Sequence, residues 1–316
     1  MPKKRKPTVL EICAGAGGQA LGLEQAGFRC LAAVEIDKHA VATLRANRPS
    51  WNVFHGDVKA FDARPYRGHV DLFAGGVPCP PFSKAGKQLG RDDERDLFPE
   101  ALRLIGECRP RAVLLENVAG FAEDKFAGYR NELFSKLKKL GYEATFTIIQ
   151  ASDLGVPQLR PRVAIVGLRP KDAKKLSLTL KKRPPVTVGA ALGDLMASHG
   201  WAGAAAWANR ANKIAPTLVG GSKKHGGADL GPTRAKRQWA ELGVNGLGVA
   251  NTPPPPDSPA DFKPMLTIRM AARIQGFPDD WNFVGKKTNE YRQIGNAFPP
   301  AVARFVGRAI RRAIGK

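Results

Sequence analysis

The segment LEICAGAGGQALGLEQAG, residues 10–27, decides the fold. Its apolar start predicts the end of a strand, Gly15, Gly17 and Gly18 predict a tight turn, and the remainder has the apolar spacing of a helix. Glycine lets a backbone approach a ligand closely, and the start of a helix offers free N–H groups. The segment alone leaves two alternatives open: a strand–helix connection without a ligand, and the turn of a dinucleotide dehydrogenase.

The alternation of strand and helix continues to about residue 170. Short apolar runs bounded by Gly, Pro or Asp predict strands, and apolar residues three or four apart predict helices. The predicted strands are 8–13, 30–35, 70–75, 112–116 and 163–167, and the predicted helices are 19–26, 39–46, 97–107 and 129–140. This order indicates an α/β fold with a mostly parallel, Rossmann-like sheet and helices on both faces.

The pattern weakens after residue 170. The Gly-rich stretch 219–231 and the four prolines 253–256 predict loops and short strands around a limited core. We therefore predict a smaller, irregular, loop-rich domain over 169–285. The sheet domain would comprise 1–168 and 286–316, with a closing helix over 299–314.

Composition and charge narrow the function. The 316 residues are 43% hydrophobic and 25% charged, which excludes a mostly disordered chain. The 50 Lys and Arg against 28 Asp and Glu give a net charge of +22 and a pI near 10.2. A charge of this size predicts a polyanionic partner.

Targeting signals and cysteines indicate the compartment. We find no apolar run of about 18 residues and no secretory h-region, so we expect no membrane association. The four cysteines have irregular spacings without a CxxC pair, which favours a reducing compartment over a disulfide framework or a zinc site. The expected location is the cytoplasm, in association with the nucleoid.

Acidic residues follow two further strands. Glu35 ends the second strand, where nucleotide-binding sheets place the acid that meets a ribose hydroxyl. Asp57, in HGDV, ends another candidate strand and could accept a hydrogen bond from an adenine amino group. Together with the Gly-rich turn, these acids favour a cofactor that contains adenosine.

The stretch GGVPCPPFS, residues 75–83, has the composition of a rigid reactive loop. Its prolines stiffen the backbone around Cys79 and remove N–H donors, so we interpret Cys79 as a candidate nucleophile. Glu116 follows two leucines at the end of another strand, where burial would raise the pKa of its carboxyl group. Arg160 and Arg162, two residues apart, would share one face of an extended segment and could hold a thiolate, a phosphate or a base edge.

The ordered set of motifs resembles the DNA cytosine-5 methyltransferase family, of the prokaryotic restriction–modification or orphan type. The resemblance covers most of 8–168 and 266–305, and it leaves 171–265 where the family has its variable target-recognition region. The motifs, in order, are EICAGAGG, EID, GDV, GGVPCPPFS, ENV, QLRPR, LTIRMAARIQGFPDDW and YRQIGNAFPPAVA. The resemblance implies an S-adenosylmethionine-dependent methyltransferase sheet as the catalytic domain and a target-recognition domain over 169–285.

The resemblance also implies a cofactor site and a reaction. S-adenosylmethionine would be bound with Glu35 on its ribose, Asp57 on its adenine and no metal. The full implied cofactor set is Cys13, Gly15, Gly17, Glu35, Ile36, Asp57, Val58, Pro78, Leu97 and Asn296. The product would be S-adenosylhomocysteine. Cys79 would attack C6 of a flipped-out cytosine, Glu116 would bind N3 and the exocyclic amine, and Arg162 would hold the base with Arg160 nearby.

The implied partner is double-stranded DNA. The loop 83–96 would close over it, and the region 171–265 would read its sequence. The candidate DNA contacts are Ser83, Lys84, Lys87, Arg91, Lys223, Lys224, Arg234, Lys236 and Arg237, with Trp239 beside them. We expect a monomer, with a cognate restriction endonuclease encoded nearby.

Two departures and two rivals accompany this hypothesis. The first motif has Glu11 and Cys13 where the family commonly reads DxFxGxGG; Glu11 keeps the carboxylate, whereas Cys13 weakens a packing contact with the cofactor. The target region is also short, which fits a brief recognition sequence. A tRNA cytosine-5 methyltransferase would use the same chemistry. A catalytically silent DNA-binding module would share the fold, although Cys79, Glu116 and Arg162 are all present. The N-terminal PKKRK is interpreted as a basic arm.

Overall fold

The computed structural model describes residues 5–78, 96–220 and 228–315. The chain divides into two compact units with discontinuous sequence. The first comprises Met1–Ile149, Pro161–Leu180 and Val302–Lys316, and the second comprises Gln150–Arg160 and Lys181–Ala301. These bounds differ from the predicted domains, 1–168 with 286–316 and 169–285. Residues 150–160 and 286–301 cluster with the second unit, and residues 169–180 cluster with the first. The assignment of functions to the two predicted domains stays a prediction.

The first unit is built on a seven-stranded sheet of order β3-β2-β1-β4-β5-β7-β6. Strands β1 to β5 pair in parallel, whereas β7 runs antiparallel to β5. The strands are β1 Thr8–Ile12, β2 Arg29–Glu35, β3 Val53–His55, β4 Leu72–Gly75, β5 Ala112–Val118, β6 Glu143–Gln150 and β7 Pro161–Leu168. The α/β fold predicted from the sequence is confirmed.

Helices cover both faces of this sheet. Ala32 and Val34 of β2 belong to the buried cluster that contains residues of α3 and α4, whereas Ala33 belongs to a cluster with residues of α2. Successive strand residues point to opposite faces, so the two clusters lie on opposite sides. The helices of this unit are α1 Gly18–Gln25, α2 Lys38–Asn47, α3 Phe98–Cys108, α4 Ala127–Lys139, α5 Pro170–Ala173 and most of α11 Pro300–Ala313.

The C-terminal helix α11 packs on α1. Gly307 allows the close approach, because a Cβ there would lie 2.8 Å from Leu23 Cδ2 and 2.9 Å from Ala26 Cβ. Arg311 Nη1 donates to the carbonyl of Ala26 at 3.1 Å. The last helix therefore belongs to the sheet unit although about 120 residues of the second unit precede it.

The second unit is helical in the residues that the structure describes. Its helices are α6 Val188–Ala197, α7 Ala204–Arg210, α8 Thr233–Glu241, α9 Ile268–Gln275 and α10 Lys287–Asn296. Four tryptophans, Trp201, Trp207, Trp239 and Trp281, are at most 2% exposed and form much of its interior. The predicted loops connect these helices, but the described residues of this unit contain only isolated bridges in place of the predicted short strands. The core is also larger than predicted, because sequence periodicity did not reveal the burial of the tryptophans.

No helix among the described residues is both long and apolar enough to cross a membrane.

The contact between α6 and α7 yields a prediction about stability. A Cβ on Gly189 would lie 1.9 Å from the carbonyl oxygen of Ala208, so Gly189→Ala should force the two backbones apart. We expect a loss of about 1–3 kcal/mol in unfolding free energy, measured by urea denaturation. Gly128→Ala in α4 is the control, since its Cβ would meet no atom of the described residues within 4 Å. A loss at Gly128 equal to that at Gly189 would contradict the steric explanation.

Candidate active site

The Gly-rich turn after β1 lies at the carboxyl ends of the parallel strands. Its backbone takes left-handed conformations at Cys13 (φ 50°), Gly15 (φ 53°) and Gly17 (φ 86°). Ala14 N donates to Val34 O at 3.1 Å, which fixes the turn beside the end of β2. Among the described residues, no atom would lie within 4 Å of a Cβ on Gly15, so this part of the chain leaves space in front of the turn. Open α/β sheets bind their ligands at this edge.

Glu35 organises the turn through its carboxylate. Oε2 accepts a hydrogen bond from Gly15 N at 2.7 Å, and Oε1 accepts from Ile36 N at 2.9 Å and Asp37 N at 2.8 Å. Burial raises the pKa of the carboxyl group, and the three N–H donors oppose that rise. The acid predicted to meet a ribose thus also holds the first glycine of the turn.

The ends of β2 and β3 meet beside Glu35. Gly56 N donates to Glu35 O at 3.0 Å, which brings the segment containing Asp57 and Val58 next to the turn. Asp57 Oδ1 accepts from Lys59 N at 2.9 Å, and Val58 is buried. Ile36 leaves 64% of its surface exposed at this edge. An exposed isoleucine beside a buried valine fits the predicted sandwich around an adenine ring.

The other predicted cofactor residues occupy several places. Cys13 is half-buried, and its low accessibility together with the nearby carboxylates of Glu35 and Glu11 raises the pKa of its thiol to about 12. Pro78 is exposed after β4, and Leu97 is half-buried at the start of α3. Asn296 is exposed at the end of α10, in the second unit.

Glu116 and Arg162 form an ion pair at the same edge of the sheet. Arg162 Nε lies 2.9 Å from Glu116 Oε1, and the two side chains are 11% and 14% exposed. Burial lowers the pKa of the Arg162 guanidinium, and the Glu116 carboxylate opposes that shift. A Cβ on Gly76 would lie 3.4 Å from Glu116 Oε2, so the glycine leaves room for the carboxyl group.

Asn117 is a buried residue of the candidate site that the sequence reasoning did not select. Its Nδ2 donates to Val77 O at 3.2 Å, and its Oδ1 accepts from Val118 N at 2.9 Å. The side chain is 4% exposed. Asn117 therefore ties the end of β5 to the backbone two residues before Cys79. The motif ENV contained the signal, since a buried asparagine beside the predicted acid requires hydrogen-bond partners.

Arg160 has different partners from Arg162. It lies in the second unit, is 1% exposed, and donates to Leu218 O at 2.6 Å, Gly295 O at 2.7 Å and Ala297 O at 3.1 Å. These contacts contradict the expectation that the Arg160 and Arg162 side chains share one face of an extended segment and hold the same group. Arg160 holds three carbonyl groups, whereas Arg162 pairs with Glu116.

Several predicted residues lie outside the described residues. They are Cys79, Ser83, Lys84, Lys87, Arg91, Lys223 and Lys224. Of the remaining DNA-contact candidates, Arg234 and Arg237 are exposed on α8, and Lys236 Nζ pairs with Asp229 Oδ2 at 2.7 Å. Trp239 is fully buried, so its expected DNA contact is wrong. Within the described ranges, no cluster of three or more His, Cys, Asp and Glu residues could hold a metal ion.

The fold and the site define an S-adenosylmethionine-dependent methyltransferase. A protein described as a DNA modification methyltransferase from an Escherichia coli prophage is 26% identical, with a TM-score of 0.67 over 98% of this chain and 100% of that one. The Dnmt2 methyltransferase of S. pombe shares the fold at 18% identity, with a TM-score of 0.67 over 99% of this chain and all of its own.

Sequence comparison narrows this class to one family. Residues 8–312 match the model of the C-5 cytosine-specific DNA methylases, and the chain belongs to that family. It is 56% identical to the Type II methyltransferase M.NaeI of Lentzea aerocolonigenes over 97% of this chain and 75% of that protein. It is 52% identical to the Type II methyltransferase M.NgoMIV of Neisseria gonorrhoeae over 98% of each. The chain is therefore an enzyme that methylates cytosine in DNA at C5.

The first unit fits the cofactor that the family implies. The space that the described residues leave before Gly15, the buried acid Glu35 and the exposed Ile36 together form a surface with polar and apolar parts. An adenosine group needs both hydrogen-bond acceptors and apolar contact.

Asn117 gives a prediction about catalysis. Asn117→Ala removes the hydrogen bond to Val77 O and leaves the turn at Gly15 unchanged. We expect kcat to fall about tenfold or more, since misplacement of a catalytic group by about 1 Å is costly, while the Kd for S-adenosylmethionine stays within twofold. Single-turnover methylation and calorimetric titration measure the two quantities. A matched rise in Kd would instead indicate general unfolding of the site.

Glu11 gives a prediction about pH. Its side chain lies on β1 and is 1% exposed. Burial is the main cause that raises its pKa well above the ordinary value, and the negative charge of Glu35 raises it further. The pKa of a glutamate in the unfolded chain is about 4.3, so the Glu11 carboxyl group binds its proton more tightly in the folded state. Stability from this group is complete below that pH and is lost as the pH rises through the folded pKa.

Glu11→Gln keeps the shape of the side chain and removes this titration. Urea unfolding gives the difference in unfolding free energy, variant minus parent, at each pH. We expect this difference to be larger at pH 8.5 than at pH 5.5. Parallel pH profiles for the two proteins would exclude the proposed effect of burial.

Proposed function

We propose that the protein is a site-specific methyltransferase that acts on a flipped-out cytosine through a covalent bond between Cys79 Sγ and C6 of the base. The observation that carries this proposal is the buried Glu116–Arg162 pair at the strand edge, next to the backbone that leads to Cys79. An acid and a guanidinium in this position suit a pyrimidine, which presents a ring nitrogen and a carbonyl oxygen side by side. A base stacked in a duplex cannot reach such a site, so it must be flipped out at a cost of a few kcal/mol.

The proposed mechanism begins with the addition of the Cys79 thiolate to C6. The sulfur supplies the electron pair of the new S–C6 bond, and the electrons of the 5,6 double bond make C5 nucleophilic. Glu116 holds a proton at N3, which stabilises the negative charge that the addition pushes into the ring. Arg162 orients the Glu116 carboxyl group and contacts the base.

Bound S-adenosylmethionine supplies the methyl group that C5 accepts. The C5 proton then leaves, its bonding pair restores the 5,6 double bond, and Cys79 Sγ departs as a thiolate. The pair of the bond that held the methyl group would stay on the sulfur of the product S-adenosylhomocysteine, and the C5 proton would pass to water. The S–C6 pair leaves with Cys79 Sγ, which returns to its starting state.

The proposed cofactor contacts come from the strand ends of the first unit. Glu35 would accept hydrogen bonds from the ribose hydroxyls, and Asp57 would accept one from the adenine amino group. Ile36 and Val58 would pack on the two faces of the adenine ring. Backbone groups of Cys13, Gly15 and Gly17 would hold the methionine part, with Pro78 and Leu97 nearby. Asn296 stays among the proposed contacts.

The proposed DNA contacts are mainly cations. Lys84, Lys87, Arg91, Lys223 and Lys224 would neutralise phosphates together with Ser83, so that affinity should fall steeply with salt. We further propose a role beside a cognate restriction endonuclease, in keeping with the Type II methyltransferase names of the relatives. A monomer, in the cytoplasm and close to the nucleoid, would suffice, since one base is flipped in each event.

Digestion and mass spectrometry of nucleosides test the proposal. Unmethylated genomic DNA and total tRNA are incubated separately with the protein and S-adenosylmethionine, and 5-methylcytosine is measured. We expect signal in DNA alone, no signal with Cys79→Ala, and a kcat about 10²–10⁴-fold lower with Glu116→Gln. A matched control is Cys108→Ala, which removes a buried thiol distant in sequence from the proposed nucleophile.

Each other result has a defined meaning. A 5-methylcytosine signal in tRNA alone would show that the substrate is RNA and not DNA. Full activity of Cys79→Ala would exclude the covalent step. Equal losses for Cys79→Ala and Cys108→Ala would attribute the effect to folding.

A further inference from the structure

Helix α8 has a buried side and an exposed cationic side. Trp239 is fully buried and anchors the helix, whereas Arg234, Arg237 and Gln238 are exposed. Within the part of the chain that the structure describes, neither arginine forms an ion pair, whereas Lys236 is bound to Asp229. The helix thus presents two uncompensated guanidinium groups within one turn.

A second feature adjoins this helix, the turn formed by residues 245–248, which we name the Leu247 turn. Its backbone is held by three hydrogen bonds: Asn245 N to Pro264 O at 2.9 Å, Leu230 N to Gly246 O at 3.0 Å, and Leu247 N to Asn245 Oδ1 at 3.0 Å. The Leu247 side chain is nevertheless 73% exposed, the largest fraction among the big apolar side chains that the structure describes. Its exposure is therefore imposed by a fixed backbone.

Close packing fixes the Leu247 turn against α8. A Cβ on Gly246 would lie 3.3 Å from Lys236 Cα, and a Cβ on Gly248 would lie 3.2 Å from Met265 Sδ. Successive helix residues are rotated by about 100°, so Arg237 follows Lys236 around the helix toward the exposed side. Arg237 is therefore the next residue around the helix from Lys236, which the turn approaches most closely.

An exposed leucine forgoes the stabilisation that burial of its side chain would supply, and the fixed turn keeps it exposed. A phosphate offers nothing to such a side chain, whereas the C5 edge of a pyrimidine does. Arginine can donate two parallel hydrogen bonds to O6 and N7 of guanine. The second unit carries 17 Lys and Arg against 9 Asp and Glu, a net +8, which suits a polyanion.

We propose that Arg237 and Leu247 form one base-reading surface for double-stranded DNA. Arg237 would donate to a guanine in the major groove, Leu247 would contact the C5 edge of a neighbouring pyrimidine, and Arg234 would extend the surface by one helical turn. This inference rests on the proposed function and specifies which residues select the sequence. It distinguishes these side chains from the cations that only neutralise phosphates.

The test compares methylation at preferred and near-preferred sites. A plasmid library with randomised bases is methylated by the parent protein and by Arg237→Lys, Leu247→Ala and Leu247→Met, and bisulfite sequencing gives the ratio of rates at the two site classes. We expect the ratio to fall about tenfold or more for Arg237→Lys and Leu247→Ala. Leu247→Met, which keeps an apolar side chain, should stay within threefold of the parent.

Arg210→Ala is the matched control, since Arg210 is an exposed cation of the same unit at the end of α7. It should weaken binding to all sequences equally and leave the ratio unchanged. Arg237→Lys retains the charge, so its total DNA affinity at low salt should resemble that of the parent. A change in ratio at constant charge is a result that a purely structural role would not produce.

Three outcomes would overturn the inference. The first is an unchanged ratio in both Arg237→Lys and Leu247→Ala. The second is a loss of total activity with the site preference of the parent retained, which would indicate a structural role. The third is a change from dimer to monomer on Leu247→Ala in sedimentation, which would show that a second copy covers the turn. If the parent protein made no 5-methylcytosine in any DNA, the proposed function itself would fail.

Discussion

The contact between Glu116 and Arg162 depends on the direction of one strand. Glu116 lies near the carboxyl end of β5, at the edge where the parallel strands place ligands. Arg162 lies at the beginning of its strand, and a parallel strand would carry it to the opposite edge. Because β7 runs antiparallel to β5, with Val118 opposite Arg162, the guanidinium reaches the carboxylate. The antiparallel direction of β7 therefore places the Arg162 guanidinium at the edge of the sheet where Glu116 lies.

Buried polar groups form a second constraint on the same edge. Glu35, Asn117 and Arg162 all lie in surroundings where an unpaired polar group costs about 1–3 kcal/mol, and each has a partner that belongs to the site. The hydrogen bonds that satisfy these side chains also fix the Gly-rich turn and the backbone before Cys79. Stability and catalytic geometry therefore depend on the same contacts.

The second unit uses buried side chains differently. Arg160 binds three carbonyl oxygens in segments that are distant in the sequence, and four tryptophans fill the interior. This interior supports an exposed surface on α8 and the Leu247 turn. We propose that the bases are read on that surface and that the methyl transfer takes place on the first unit.

The sequence alone determined the parallel strands, the Gly-rich turn and the acids that follow the strands, because short periodic patterns and local motifs encode them. Glu35 and Glu116 were predicted from their positions at strand ends. The sequence pattern did not predict β6, because EATFTIIQ has the mixed polarity of a strand at the edge of a sheet. It also did not predict the helical core of the second unit. The spacing of Arg160 and Arg162 also predicted that they share one face, although the two side chains have different partners. Only the tertiary structure decided these points, since the direction of β7, the burial of Trp239 and the partners of each arginine depend on contacts between residues far apart in the chain.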